Sequence, residues 1–217
     1  MSEVALVDTD HGKALVADLP TGRATLVVDF ARGQWARRVK NPRAAHVVVA
    51  CGKPPQTVLD CTCGLARDAL ALAAAGFHVV ACEREALLFS IVDDARRRAM
   101  SDELLAPIAA RLTLVADDAA RVLGECARGE RAPFDVVVVD PMFDDDAHGR
   151  AEVKKDMQIA RALVRPSVDE ERALVEAARA IALRRVIVKR PRGSAPLVSG
   201  VSFSKETRAA RLDVYVR

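Results

Sequence analysis

Four consecutive valines, residues 136–139, stand between Pro133 and Pro141 and restrict the possible folds sharply. The run is too short for a helix and every residue in it is β-branched, so it predicts a strand over residues 134–139. A strand without polar alternation is buried on both faces, which is typical of parallel sheets covered by helices. We therefore expect an α/β sheet whose ligand lies outside the carboxyl ends of the strands.

Strand and helix patterns alternate through the rest of the chain, which predicts a right-handed, doubly wound α/β fold. The predicted strands cover residues 57–60, 77–82, 111–116, 134–139 and 185–189, with a closing pair at 201–204 and 212–216. The predicted helices cover residues 68–75, 85–100, 118–128, 152–164 and 169–183. With 217 residues and 51% hydrophobic content, the chain can bury a sizeable core.

A loop of glycine, lysine and two prolines at residues 52–55 predicts a domain boundary near residue 53. Residues 1–53 would then form a small N-terminal extension with short strands, one of them over residues 25–30. Residues 54–217 would form the main domain. Trp35 lies among the arginines of the extension, where it would either stack on RNA or anchor the extension.

The tetrapeptide Asp140-Pro141-Met142-Phe143 follows the valine strand and predicts a catalytic loop. The Asp140 carboxylate and the main-chain carbonyl near Pro141 can accept hydrogen bonds from an amino group, and Phe143 can stack on a flipped base. The alternative for Phe143 is ordinary core packing. From these residues alone, the acceptor amino group could belong to adenine, cytosine, guanine or glutamine.

The turn after the strand at 57–60 predicts a nucleoside site. Asp60 ends the strand, Gly64 permits close approach of a ligand to the backbone, and Glu83 ends the next strand 19 residues later. A carboxylate at that position can accept from both hydroxyls of a ribose. Asp117 follows a third strand, where the alternative is a helix cap.

The same turn excludes two common nucleotide sites. The stretch from Gly64 contains one glycine instead of Gly-x-Gly-x-x-Gly, and the Walker lysine is absent. S-adenosylmethionine has a ribose and an adenine but no phosphate, and its ammonium and sulfonium suit acidic strand ends. We therefore expect it as the cofactor, bound by Asp60, Thr62, Gly64, Arg67, Asp68, Glu83, Arg84, Asp117 and Asp140.

Basic residues cluster in two parts of the chain, although the net charge is only +3. Early arginines and lysines occupy residues 32–43, and a second group follows the late strand at residues 189–192. Lysines at a helix start are electrostatically unfavourable without an anion, and RNA phosphate would compensate those at 154 and 155. The predicted RNA-binding residues are Arg37, Arg38, Lys154, Lys155, Lys189 and Arg190; the alternative is a solvated surface.

Several motifs, in order along the chain, resemble the bacterial small-subunit ribosomal RNA guanine-N2 methyltransferase J family. They are Asp-Cys-Thr-Cys-Gly-Leu-Ala-Arg-Asp-Ala at 60–69, Asp140–Phe143, Val153-Lys154-Lys155 with Met157, Val188–Pro191 and Leu212–Tyr215. The resemblance implies a Rossmann-like class I S-adenosylmethionine-dependent methyltransferase fold with a small N-terminal extension. It also implies methylation of N2 of a guanine in 16S ribosomal RNA, free or in the small ribosomal subunit.

Three features depart from the family pattern. Ala66 stands where the family usually has glycine, the stretch at 41–46 is shortened, and aspartates at 144–146 would repel phosphates near the catalytic loop. The alternatives are an amino-group methyltransferase acting on DNA adenine or protein glutamine, and an RNA-binding relative that has lost catalysis. The lysine and Lys-Arg-Pro motifs argue against the first, while Ala66 and the altered stretch motivate the second.

Other classes of protein are disfavoured by what the sequence lacks. Five cysteines at positions 51, 61, 63, 82 and 126 do not form a disulfide framework, and neither they nor the histidines have the spacing of a zinc site. We expect no metal. There is no apolar stretch near 18 residues and no signal-peptide pattern, so we expect no membrane contact and a cytoplasmic protein.

Overall fold

The computed structural model describes residues 3–20, 22–54, 56–141, 155–164, 167–207 and 210–217. Its first part is a three-stranded antiparallel sheet in the order β1-β2-β3, formed by Val4–Thr9, Gly12–Leu19 and Gly22–Val27. Helix α1 (Gly33–Lys40), a short 3-10 helix (Pro42–Ala44) and helix α2 (His46–Cys51) follow. The sequence predicted short strands here but located only one of them, at 25–30; the bounds of β1 and β2 and the two helices are additions.

The main sheet has seven strands in the order β6-β5-β4-β7-β8-β10-β9. The first five are parallel, and β10 runs antiparallel to both of its neighbours. The strands are β4 (Thr57–Asp60), β5 (His78–Cys82), β6 (Leu112–Val115), β7 (Val136–Val139), β8 (Arg185–Arg190), β9 (Phe203–Glu206) and β10 (Arg211–Val216). The chain moves outward from β4 to β6 and then returns to the other side of β4. The topological switch point therefore lies between β4 and β7, which is where ligands bind in open α/β sheets.

Helices cover both faces of the main sheet, as the sequence predicted. They are α3 (Arg67–Ala74), α4 (Ala86–Ala99), α5 (Ala106–Ala109), α6 (Ala119–Ala127), α7 (Lys155–Leu163) and α8 (Val168–Ile181). Val136 and Val138 pack into the core on the face that carries α3 and α4, while Val137 and Val139 pack against α6 and α8. All four valines are buried, which confirms a strand covered on both sides.

Trp35 joins the N-terminal part to the main sheet. Its side chain is buried, its Nε1 donates a hydrogen bond to the Leu65 carbonyl at 2.9 Å, and the Arg67 guanidinium lies 5.9 Å from its ring centroid. Of the two roles considered for this residue, the structure supports the anchor. Leu15 and Leu26 of the small sheet also belong to the core cluster that contains α3. The domain boundary at residue 53 stays a prediction.

Two further findings concern the classes that the sequence disfavoured. The five cysteines are buried free thiols, and burial raises the pKa of Cys61 and Cys63 well above the ordinary value. Among the residues that the structure describes, no cluster of three or more His, Cys, Asp or Glu side chains could hold a metal ion. No helix in the described ranges is both long and apolar enough to span a membrane.

Candidate active site

A row of charged side chains follows the carboxyl edge of the five parallel strands. Asp117, Glu83 and Asp60 lie at the ends of β6, β5 and β4. Asp140 follows β7, and Lys189 lies near the end of β8. All five line one cavity of about 820 Å³, a volume within the range of small-molecule sites. The parallel topology thus brings together side chains that are far apart in sequence.

The β4–α3 turn is held by Glu83. Its Oε2 accepts a hydrogen bond from the Gly64 amide at 2.7 Å, and its Oε1 accepts one from the Glu85 amide at 2.8 Å. The Cys63 amide donates to the Cys82 carbonyl at 2.9 Å, so the turn is also tied to the end of β5. A carboxylate has about four acceptor positions. Glu83 can therefore support the turn and still accept from ribose hydroxyls.

Ala66 adopts the left-handed conformation, with φ of 55° and ψ of 25°, where the family usually has glycine. This conformation costs an alanine about 1–2 kcal/mol relative to glycine. Its methyl group is completely buried, which offsets about 0.8 kcal/mol of that cost. The turn therefore keeps the shape that glycine would give it. Ala66 alone gives no structural reason for a loss of catalysis.

Asp140 is fixed from two directions. Its backbone amide donates to Thr62 Oγ1 at 2.7 Å, which links the catalytic loop to the β4–α3 turn. Its Oδ2 accepts from Lys189 Nζ at 2.6 Å, and the same ammonium donates to Asp68 Oδ2 at 3.1 Å. Asp140 Oδ1 accepts no hydrogen bond from the residues that the structure describes. Lys189 thus orients one carboxylate oxygen, and about a third of the Asp140 side chain is exposed.

Burial shifts the acid–base properties of this site. Desolvation raises the pKa of Asp60 to about 7, although the Thr62 amide opposes the shift with a hydrogen bond. Burial also raises the pKa of Glu83, against hydrogen bonds from two backbone amides. Burial raises the pKa of Asp140, and the Lys189 ammonium opposes it. Protonation of Asp60 therefore changes near neutral pH.

The predicted cofactor residues all line the cavity, although several have protein partners. Arg67 pairs with Asp156. Arg84 contacts Asp118 and Glu170 at 3.3 Å each, with about half of its side chain exposed. Their individual roles toward the cofactor stay predictions.

Asp117 is not the helix cap that the sequence left open. The cap of α6 is Asp118, whose side chain accepts from the Ala120 amide at 2.8 Å. Asp117 instead pairs with Arg121 and accepts from the Asp118 amide at 2.7 Å. Its carboxylate lines the cavity, so the predicted cofactor contact remains open to test.

The predicted RNA-binding residues fall into three groups. Arg37 is exposed on α1. Arg38 contacts Asp68 at 3.5 Å, and Lys189 and Arg190 line the cavity, where burial lowers the pKa of Arg190. Lys154 and the side chain of Lys155 lie outside the described residues, as do Phe143 of the catalytic loop and the aspartates at 144–146. Pro141 is buried and is the last residue described in that loop.

Helices α7 and α8 supply a wall of the cavity that the sequence motifs marked at Met157 alone. It includes Met157, Val164, Glu171 and Leu174. Burial raises the pKa of Glu171. For the other residues only the amphipathic pattern of the two helices was visible in the sequence, and that pattern does not distinguish a cavity wall from core.

Comparisons with known proteins identify the family. The family model described as "Putative SAM-dependent methyltransferase" matches residues 2–217. A ribosomal RNA small subunit methyltransferase J from Pseudomonas paraeruginosa is 39% identical over 203 residues, which cover 90% of this chain and 76% of that protein. The protein of that name from Chromohalobacter salexigens is 38% identical over 218 residues, covering 97% and 84%. This chain belongs to the ribosomal RNA small subunit methyltransferase J family.

A solved structure also matches the J-family chain. The crystal structure of a SAM-dependent methyltransferase from Neisseria gonorrhoeae has a TM-score of 0.69 and 26% identity, and the match covers 94% of this chain and 79% of that one. The family resemblance, the Rossmann-like class I fold and S-adenosylmethionine as cofactor are thereby confirmed.

The cavity suits that cofactor on its own chemistry. Buried Asp60 and Glu83 offer acceptors for ribose hydroxyls and negative charge for an ammonium or sulfonium. A methyl group placed on Gly64 would have the Thr62 carbonyl oxygen, at 3.9 Å, as its nearest neighbour, so the backbone is open to a ligand. These residues fit S-adenosylmethionine.

Proposed function

We propose that this chain methylates the exocyclic N2 of a guanine in 16S ribosomal RNA. The observation that carries the proposal is the Asp140 carboxylate at the switch point, held through Oδ2 with Oδ1 available to an amino group. The names of the J-family relatives support the choice of small-subunit RNA. Because that RNA is cytoplasmic, we propose the cytoplasm as the place of action.

Guanine N2 is a weak nucleophile because its lone pair is delocalised into the ring. A carboxylate that accepts a hydrogen bond from the amino group favours the pyramidal nitrogen of the transition state, and its charge stabilises the positive charge that develops there. When bound, S-adenosylmethionine supplies a methyl group whose S–C bonding pair stays on sulfur as the nitrogen forms the new N–C bond. The nitrogen must then release one proton. Asp140, whose Oδ2 is held by Lys189, would accept this proton and pass it to water.

The RNA surface that we propose is built on α1 and the 3-10 helix. Residues 30–59 contain no aspartate or glutamate, and Arg37, Lys40 and Arg43 are exposed. Arg38 of the same helix lines the cavity, so the basic surface reaches the mouth of the active site. A phosphate backbone held there would place a neighbouring base near the pocket.

Removing two charges from this surface should weaken RNA binding without slowing the chemical step. In an Arg37→Ala, Lys40→Ala double variant we expect KM for the RNA substrate to rise several-fold at unchanged kcat. The slope of log KM against log salt should fall by about two, since each lost phosphate contact lowers it by about one. The measurement is a salt series of initial rates.

The matched control is Lys53→Ala with Arg184→Ala. Both side chains are exposed, and they precede β4 and β8 at the amino edge of the sheet, opposite the cavity. This double variant removes the same two charge types. Equal changes in the two variants would show that net charge, rather than the α1 surface, sets the affinity.

The function is tested with purified protein, labelled S-adenosylmethionine and substrate from a strain in which the gene is deleted. Parallel reactions contain small ribosomal subunits, free 16S RNA, and large subunits as the control. We expect one N2-methylguanosine in small-subunit RNA by nucleoside mass spectrometry, at a position that is unmodified in the deletion strain. Methylation of adenine in DNA or of a glutamine side chain would support the alternative substrates, and cofactor binding without any product would support the non-catalytic relative.

A further inference from the structure

Lys189 lies in an alternating chain of charges inside the cavity. Its Nζ is 2.6 Å from Asp140 Oδ2 and 3.1 Å from Asp68 Oδ2, and Asp68 is 3.5 Å from the Arg38 guanidinium. One third of the Lys189 side chain is exposed, whereas Asp68 is 14% exposed. Two of the three ammonium donors are thus committed to carboxylates. The sequence instead suggested Lys189 as a contact to RNA phosphate.

A phosphate near Lys189 would also meet the two carboxylates that the ammonium already binds. Their repulsion would cancel most of the attraction, because both carboxylates lie within hydrogen-bonding distance of the ammonium. Arg37 and Lys40, which are exposed on α1, lie in a segment without acidic residues and are better suited to phosphate. The geometry therefore favours a role for Lys189 within the active site.

We propose that Lys189 is a positioning residue, which holds Asp140 as an oriented carboxylate for the acceptor amino group and is itself anchored by Asp68. The inference rests on the proposed function, since it concerns the group that receives the amino protons. The ammonium holds Oδ2 and directs Oδ1 toward the ligand. Asp68, from the first turn of α3, prevents Lys189 from turning away toward solvent.

The charge of Lys189 is needed because Asp140 lies in a cavity that disfavours ionisation. Burial raises the pKa of Asp140, and among its charged neighbours Lys189 and Arg67 lower it while Asp68 raises it. Asp60, at the end of the adjacent β4, is a further acidic neighbour. A protonated Asp140 would present a hydroxyl donor where the amino group needs an acceptor.

Two variants should shift the titration of Asp140 in opposite directions. Lys189→Met keeps the side-chain length and removes the charge, so we expect the pKa of Asp140 to rise by about one to three pH units. Asp68→Asn removes a neighbouring negative charge, while its side-chain oxygen can still accept from Lys189 and hold it in place, so the pKa of Asp140 should fall. Carbon-13 NMR of aspartate carboxyl groups measures the pKa of Asp140 directly in each variant. The Asp140 signal is assigned by its absence from the spectrum of Asp140→Asn. Lys189→Arg, which retains the charge, should stay close to the wild type.

Kinetics provide the second readout. In Lys189→Met the acid limb of the kcat profile should move to higher pH, with kcat about 10–100-fold lower at pH 7 and partly recovered at pH 9. Cofactor affinity, measured by calorimetry, and the salt slope of KM for RNA should match the wild type. A normal melting temperature checks that the variant is folded.

The outcomes separate this inference from the proposed function. An unshifted Asp140 titration in Lys189→Met, with a salt slope reduced by about one, would overturn the inference and support a phosphate contact. The NMR titration needs no RNA. It therefore remains decisive for Lys189 even if the wild type fails to methylate guanine, a result that would overturn the proposed function instead.

Discussion

Replacing Asp140 with alanine is expected to lower kcat by about 10²–10³-fold, the usual effect of removing one group that stabilises developing charge. The cause is specific. In the proposed function the carboxylate accepts the hydrogen bond from the amino group, whereas the backbone amide that donates to Thr62 Oγ1 remains in the variant. The loop should therefore keep its position. Cofactor affinity, measured by calorimetry, should change little, so that the loss falls on the chemical step.

Asp117→Ala is the matched control for this experiment. It removes the same chemical group from the rim of the same cavity, at the end of β6 rather than β7. We expect it to raise the dissociation constant of the cofactor and to leave kcat at saturation within a few-fold of the wild type. If Asp140→Ala weakens cofactor binding as much as it slows transfer, Asp140 is a cofactor ligand and the catalytic role is wrong.

Replacing Asp60 with asparagine is expected to stabilise the protein at alkaline pH. Asp60 is buried, and its pKa in the folded protein is about 7, compared with about 3.9 in an unfolded chain. Because the folded value is the higher one, the stability contributed by this group is complete below about pH 4 and is lost as the pH rises through about 7. Asparagine does not ionise. At pH 8 we expect Asp60→Asn to exceed the wild type by on the order of 2–4 kcal/mol in the free energy of unfolding.

Urea denaturation at pH 4.5 and pH 8 measures the free energy of unfolding of Asp60→Asn and of the wild type. The stability difference between Asp60→Asn and the wild type should be large at pH 8 and smaller at pH 4.5, where Asp60 of the folded wild type is protonated. The control is Asp10→Asn in the exposed β1–β2 turn, which changes the net charge equally. A loss of stability in Asp60→Asn at both pH values would show that the hydrogen bond from the Thr62 amide outweighs desolvation. The same variant should bind S-adenosylmethionine more weakly. Cofactor binding would then explain why the protein has a buried carboxylate that destabilises the fold.

Local patterns predicted the part of the fold that depends on local chemistry. Four valines between prolines can bury all their side chains only in a strand covered on both faces, and β7 is that strand. Acidic side chains at the ends of successive strands were predicted to lie at one edge of the sheet, because parallel strands align their carboxyl ends. Asp60, Glu83 and Asp117 lie at that edge and line one cavity.

Features that depend on distant partners were not predictable in the same way. Helix α2 has the sequence His-Val-Val-Val-Ala-Cys, whose β-branched residues favour a strand. The segment is nevertheless a helix, and it buries Val47 and Val48 in the core. Lys189 was predicted to contact RNA because it lies in a basic run after a strand, and that contact stays a prediction. Its carboxylate partners in the structure are 49 and 121 residues away and are brought to it by the sheet topology.

The core shared by the two sheets has a consequence for the order of events during synthesis. Leu15 and Leu26 leave the ribosome before Ile159 of α7, which belongs to the same core cluster and is made more than a hundred residues later, and α7 packs against β2 and β3. At about 5–20 residues per second, the small sheet must wait roughly 7–30 seconds with an apolar face uncovered. Nascent chains of this enzyme should therefore depend on holding chaperones until α7 has emerged, and a truncation before residue 159 should aggregate rather than leave a folded N-terminal unit.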